Sequence, residues 1–269
     1  MHTLAGTQVA VTENTAFAIV AELSIVAFFF AMRSCEISLT QSPGRTRPIR
    51  LSGVVFRDAA HREIDHRSPD FLKKAERVTI TFEDQKNGTK MDRRTHQRTS
   101  DPVLCPVKCA AALVTRIYKR VPDVSPDTTL DSMFLATRTC RVTGDLIRQH
   151  LRSSCTVLGG KEVFGYSATE IGTKSLRSGA AMSLFLMNHS VHKIMILGRW
   201  SSDAFLVYIR PQVLEWTNNM SQDMIHLDSF FDATDPRRTQ PSDPRTRQRL
   251  FKGNRTMRPV RMQPMHLHH

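Results

Sequence analysis

From Ala16 to Met32 the chain reads AFAIVAELSIVAFFFAM, 17 residues that are apolar all round with Glu22 inside them. A segment apolar on every face predicts a helix deep in a core. "MRSCEISL" is expected to continue that helix, and "QSPGRTRP" to break it at Pro43 and Gly44. The period then changes. "SGVVFRDA" reads as a short strand, and "RVTITFEDQ" alternates Val78, Ile80 and Phe82 as a half-buried strand does. Asn87-Gly88 supplies a hairpin turn, and "MDRRTHQRTS" a polar return strand. A small antiparallel sheet therefore follows the first helix.

Helical patterns resume at Pro106. "PVKCAAALVTRIYKRV" opens on a proline and stops before Pro122. "TGDLIRQHLRSSCTVLG" has Thr143 at its N-cap position and closes near Gly159-Gly160. In "SLRSGAAMSLFLMNHSVHKIMILGRW", Leu176, Ala180, Leu184 and Met187 share one helical face. A break near Asn188-His189 separates a second helix that ends at Gly198. Ser201, Ser202 or Asp203 can cap a third, short helix carrying Phe205, Tyr208 and Ile209, with Pro211 just beyond. The fold class expected is mainly α with a small antiparallel β-sheet. The domain expected is 1–231, with a basic, disordered tail over 232–269.

Composition narrows the partners. The 269 residues carry 38 Lys and Arg against 25 Asp and Glu, a net charge of +13. Such a balance favours a polyanion. Nine of the cations, against Asp243 alone, fall between Arg237 and Arg261. These tail arginines suit non-specific phosphate contacts or an import signal. Five cysteines without a CxxC pair fit a reduced, intracellular setting, and "CPVKC" lacks the matching ligands of a zinc site. No metal or other cofactor is expected. Ala16–Met32 is short for a membrane span and carries Glu22, so no membrane partner is expected.

The candidates for chemistry are Arg33, Lys86, Lys174, Arg177, Arg199, Trp200 and Tyr208. Arg33 ends a very apolar helix beside Glu36, which can orient it. Lys174 and Arg177, three apart at a helix start, point to one face, where backbone N–H groups also favour an anion. Arg199 and Trp200 follow Gly198. Several cations and one phenol suit a phosphodiester: guanidinium forks neutralise its oxygens, tyrosine attacks, and a lysine protonates the leaving alkoxide. Each residue also has a plainer reading. Tyr208 can be a core aromatic with a surface hydroxyl, Arg33 a helix-end arginine, Lys86 a solvated turn residue with Lys90 as its near competitor.

Taken together these motifs resemble the catalytic domain of the tyrosine recombinases, the phage integrase family. "AMRSCEISL" places Arg33 in the family's first-arginine motif, "EDQKNGTK" offers Lys86 for its β-turn lysine, and "TKSLRSGAAM" gives Lys174 and Arg177 for its H-x-x-R. "LGRWSSDAFLVY" puts Arg199 in the place of the family's later histidine, and Tyr208 follows nine residues on, as the family's nucleophile does. The resemblance covers roughly residues 15–215. Its wording looks most like recombinases of eukaryotic mobile elements, of the Crypton and retrotransposon type. Lys174 and Arg199 depart from the usual histidines, and Trp200 is the residue expected to pack the site and steady the tyrosine.

The resemblance implies DNA breakage and rejoining through a 3′-phosphotyrosyl link at Tyr208. Arg33 and Arg177 would clamp the phosphate, Lys174 would assist, and Lys86 would protonate the 5′-oxygen. It implies double-stranded DNA as partner and a homotetramer on DNA, in the nucleus if the source is eukaryotic and otherwise intracellular. The family's N-terminal clamp domain has no counterpart in this sequence, so a catalytic domain alone is expected. A type IB topoisomerase, a non-catalytic DNA-binding remnant and a membrane-anchored protein are the alternative readings.

Overall fold

The computed structural model of the chain describes residues 16–38, 46–84, 88–134 and 139–209. The tail from 232 and its expected disorder lie outside them. Helix α1 (Ala16–Phe29) is buried without interruption from Ala18 to Ala27. It packs against three helices, α4 (Pro106–Arg120), α5 (Gly144–Val157) and α7 (Lys174–Leu186). That surround explains why its sequence is apolar on every side. Glu22, buried within it, is paired by Arg116 of α4, whose second N–H donates to Oε1 at 2.8 Å. Among the described residues no helix is long and apolar enough to cross a membrane.

The first helix does not run on as its sequence suggests. It ends at Phe29, and Ala31 takes a left-handed conformation at φ 44°. Ala31 N–H donates to Phe28 O and Met32 N–H to Ala27 O, the paired bonds of a Schellman stop. The chain restarts as α2 (Ser34–Ile37). Glycine usually fills the left-handed position because it has no Cβ to clash; here alanine does, so the stop carries no sequence mark.

The sheet has four antiparallel strands in the order β2-β1-β3-β4: β1 Val54–Arg57, β2 Glu63–Ile64, β3 Arg77–Asp84 and β4 Lys90–Gln97. The β3–β4 hairpin closes through Asp84 opposite Lys90, with Gly88 at φ 83°. Val78, Ile80 and Phe82 enter the core as their alternation predicts, and Thr79 and Thr81 are covered as well. A short helix α3 (Pro69–Leu72) and a two-stranded ribbon, β5 (Ser132–Phe134) with β6 (Thr139–Arg141), had no clear sequence signal.

Helix α5 starts on the Thr143 hydroxyl, which accepts from Leu146 N–H at 3.2 Å, and left-handed Gly159 opens the following turn, α6 (Gly160–Phe164). Leu176 and Ala180 of α7 are buried, but Met187, placed on the same face by its spacing, is exposed because the helix has ended. After Asn188, α8 (Val191–Gly198) and a 3₁₀ helix (Asp203–Tyr208) complete the described fold. Ala181, Ile194, Phe205 and Ile209 form a second, smaller core that holds these last two elements to α7.

Candidate active site

The site is built where two helices stop in the same way. Helix α1 stops at left-handed Ala31; α8 stops at left-handed Arg199, φ 58°. There Arg199 N–H donates to Ile196 O and Trp200 N–H to Met195 O, the same paired pattern. Each stop turns a carbonyl outward from its helix, and Arg177 of α7 takes both. Its guanidinium donates to Ala31 O at 2.5 Å and to Gly198 O at 2.5 Å. Arg177 is 6% exposed. It therefore fastens the turn before Arg33 to the turn before Trp200.

Trp200 closes the other side of Arg177. The guanidinium carbon lies 4.2 Å from the centroid of the Trp200 ring system, a stacked cation–π contact. The indole in turn meets Phe205 at 5.6 Å between ring centroids. Phe205 belongs to the 3₁₀ helix that carries Tyr208, and buried Ile209 follows it. The backbone of Tyr208 is thus fixed to the same small core, while its side chain lies outside the described residues.

Arg33 stands at the edge of the core, its side chain 19% exposed. Its guanidinium donates to Glu36 Oε1 at 3.0 Å and its backbone N–H to Glu36 Oε2 at 2.7 Å. Glu36 lies at the third position of α2, so the second bond is one half of a capping box. The Arg33 guanidinium also reaches Arg199 O at 3.4 Å.

Arg199 is turned inward. Its side chain is 1% exposed and pairs with Glu36 Oε2 at 2.6 Å. It donates to Phe30 O at 2.8 Å and to Ala31 O at 3.4 Å, and its guanidinium carbon lies 3.6 Å from the Phe82 ring centroid. Burial pushes this guanidinium down to about 10, with the Glu36 carboxylate opposing the shift, so it stays charged at neutral pH. Burial, with the Glu36 charge, also raises the thiol of neighbouring Cys35.

Lys174 is the exposed first residue of α7, three positions before Arg177. Lys86 lies outside the described residues. The structure thus brings Arg33, Arg177, Arg199 and Trp200 together and sets Lys174 on the same helix as Arg177. The inward pairing of Arg199 with Glu36 is not what its motif position suggests. The sequence clue is an arginine directly after a helix-ending glycine, in a segment otherwise apolar enough to be buried. Among the described residues no group of His, Cys, Asp and Glu could hold a metal ion.

Neither a family profile nor a curated protein matches the sequence. Solved structures do resemble its fold. One is the XerH site-specific recombinase bound to its difH substrate in a pre-cleavage complex, with a TM-score of 0.50 at 12% identity. That match covers 80% of this chain and 50% of the other. Another is the Tn1549 transposon integrase in complex with transposon right-end DNA, with a TM-score of 0.42 at 9% identity, covering 78% of this chain and 58% of the other. The chain thus spans about half the length of these proteins. The fold is mixed α+β with a small antiparallel sheet, and it resembles that of the XerH site-specific recombinase.

Proposed function

We propose that the chain is the catalytic domain of a tyrosine recombinase that cuts and rejoins double-stranded DNA. The observation that carries this reading is the clasp of Arg177 between Ala31 O and Gly198 O. It joins, from three distant stretches of sequence, the first arginine, the second arginine and the segment of the tyrosine. The Arg33 fork at this partly open edge, with Arg177 buried behind it, suits a phosphodiester whose non-bridging oxygens must be neutralised.

In this reading Tyr208 Oη gives its proton to solvent water and bonds to the scissile phosphorus. The bond from phosphorus to the 5′-oxygen breaks, and Lys86 donates the proton that makes the 5′-hydroxyl. A 3′-phosphotyrosyl link stores the bond energy, and attack by a 5′-hydroxyl reverses the step. Arg33 and Arg177 hold the phosphate oxygens, Lys174 assists from the start of α7, and Trp200 supports Arg177 and the tyrosine segment. Strand exchange would take place in a homotetramer on DNA. The wording of "SLRSGAAM" and "GRWSSDAFLVYIR" supports a eukaryotic mobile-element origin and hence a nuclear location.

The test is incubation with nicked and supercoiled DNA in the presence of a chelator, followed by a detergent quench. A covalent protein–DNA adduct is expected. Relaxation of supercoils by a monomer would identify a topoisomerase instead. Binding without an adduct would identify a non-catalytic remnant.

A further inference from the structure

The Glu36 carboxylate poses an electrostatic problem for any anion held by Arg33. It is fully buried, and it accepts both the Arg33 guanidinium and the Arg33 backbone N–H. A lone Arg33–Glu36 pair is neutral overall and would attract a phosphate poorly, because the carboxylate repels the ligand across a few ångströms of low-dielectric protein. The position cannot simply discard Glu36, since its carboxylate also caps α2 and fixes the turn from which Arg33 projects.

We infer that Arg199 is a positioning residue that compensates Glu36 from the core side, so that the buried triad keeps one net positive charge and presents it on Arg33. Four contacts from distant segments hold Arg199 in this place. They are the 2.6 Å pair with Glu36 Oε2, the bonds to Phe30 O and Ala31 O, and the stack on Phe82. The two guanidinium groups divide the carboxylate, Arg33 on Oε1 and Arg199 on Oε2, and Oε2 also accepts the Arg33 backbone N–H. The exposures divide the roles, 1% for the Arg199 side chain and 19% for Arg33. Of these two arginines, only Arg33 reaches the surface where a ligand could meet it. Arg199 also meets Arg33 directly, its carbonyl accepting from the Arg33 guanidinium at 3.4 Å. Arg94 of β4, linked to Asp92 of its own strand, bonds Ile196 O at 2.8 Å and anchors the end of the helix from which Arg199 projects.

This inference rests on the reading of Arg33 as a phosphate clamp, and a charge swap tests it. R199M keeps an unbranched side chain over Phe82 but leaves the site neutral; E36Q together with R199M restores one net charge. Single-turnover adduct formation in R199M is expected to fall by about 10²-fold, the scale of a misplaced catalytic group. E36Q/R199M should recover most of that loss, and R199M should add nothing to R33A, since residues acting through one another are non-additive. All four variants are compared at a temperature where circular dichroism shows each fully folded. A purely structural Arg199 would give an additive loss in R33A; that result, or a failure of E36Q to rescue R199M, overturns the proposal.

A second readout does not need cleavage. The Arg33 Nε–H resonance of labelled protein, assigned with R33K, is followed as nicked DNA is added. It should shift in the wild type and in E36Q/R199M and stay still in R199M. That pattern in a wild type that forms no adduct would keep the charge compensation and refute the recombinase chemistry. An Arg33 signal that responds equally in R199M, or in no protein at all, overturns the inference.

Discussion

The Trp200 indole lies flat against Gly198. A Cβ on that glycine would fall 1.6 Å from the ring carbon Cζ3, inside the ring's own volume. Gly198→Ala must therefore expel the indole, removing the cation–π face from Arg177 and the contact with Phe205. The expected cost is about 1–3 kcal/mol of stability, as for other overpacked sites. Trp200 emission, read in a Trp216→Phe background, should move to longer wavelength. An unchanged spectrum would mean that the indole packs elsewhere.

Glu22 and Arg116 form a nearly closed pair between α1 and α4, with side chains 7% and 15% exposed. Arg116→Met leaves the carboxylate buried without its guanidinium and should cost about 3 kcal/mol in urea unfolding. Glu22→Leu together with Arg116→Met should recover most of that loss. If the double variant is no better than the single one, the pair is not what sets the cost.

His96 of β4 lies against Phe30, with ring centroids 4.5 Å apart, and burial pushes its imidazole down to about 4, against a hydrogen bond with the Phe29 backbone. In the unfolded chain it titrates near 6.5. As the pH falls through that value the unfolded state takes the proton first, so stability drops between about 6.5 and about 4. His96→Phe should flatten this slope, read as the difference in Tm between about pH 7 and about pH 5. An equal slope in both proteins would assign the acid sensitivity to other groups.

The basic tail should act by charge alone. Removing residues 232–269 takes away the nine cations of Arg237–Arg261. Each phosphate contact contributes about 0.9 to the slope of log K against log salt for duplex DNA. The shortened chain should therefore bind with a visibly shallower slope in fluorescence anisotropy. An unchanged slope would exclude the tail from phosphate contact.

Much of the architecture was legible in periodicity. The alternation of Val78, Ile80 and Phe82 and the Thr143 cap each specify one local conformation, and each element forms where they stand; the strands on either side of Asn87-Gly88 pair as a hairpin, and Asn87 itself lies outside the described residues. The stop of α1 was not legible, because Ala31 takes a left-handed position that sequence rules reserve for glycine. Arg177 and Arg33 could be singled out as charges bordering apolar helices. What each one touches could not, since Ala31 O and Gly198 O are backbone acceptors with no side-chain signature. The inward turn of Arg199 depends on a long-range partner, Glu36, and an aromatic floor, Phe82, both contributed by distant segments.

The proposed chemistry stands or falls with a covalent bond between Tyr208 and DNA. The bond can be sought by trapping the protein on a nicked duplex, digesting the complex, and locating the linked residue by mass spectrometry, with Tyr208→Phe as control. A nucleotide on Tyr208 and no adduct in the variant are expected. A nucleotide on another residue, or an adduct that persists in Tyr208→Phe, would refute the assignment.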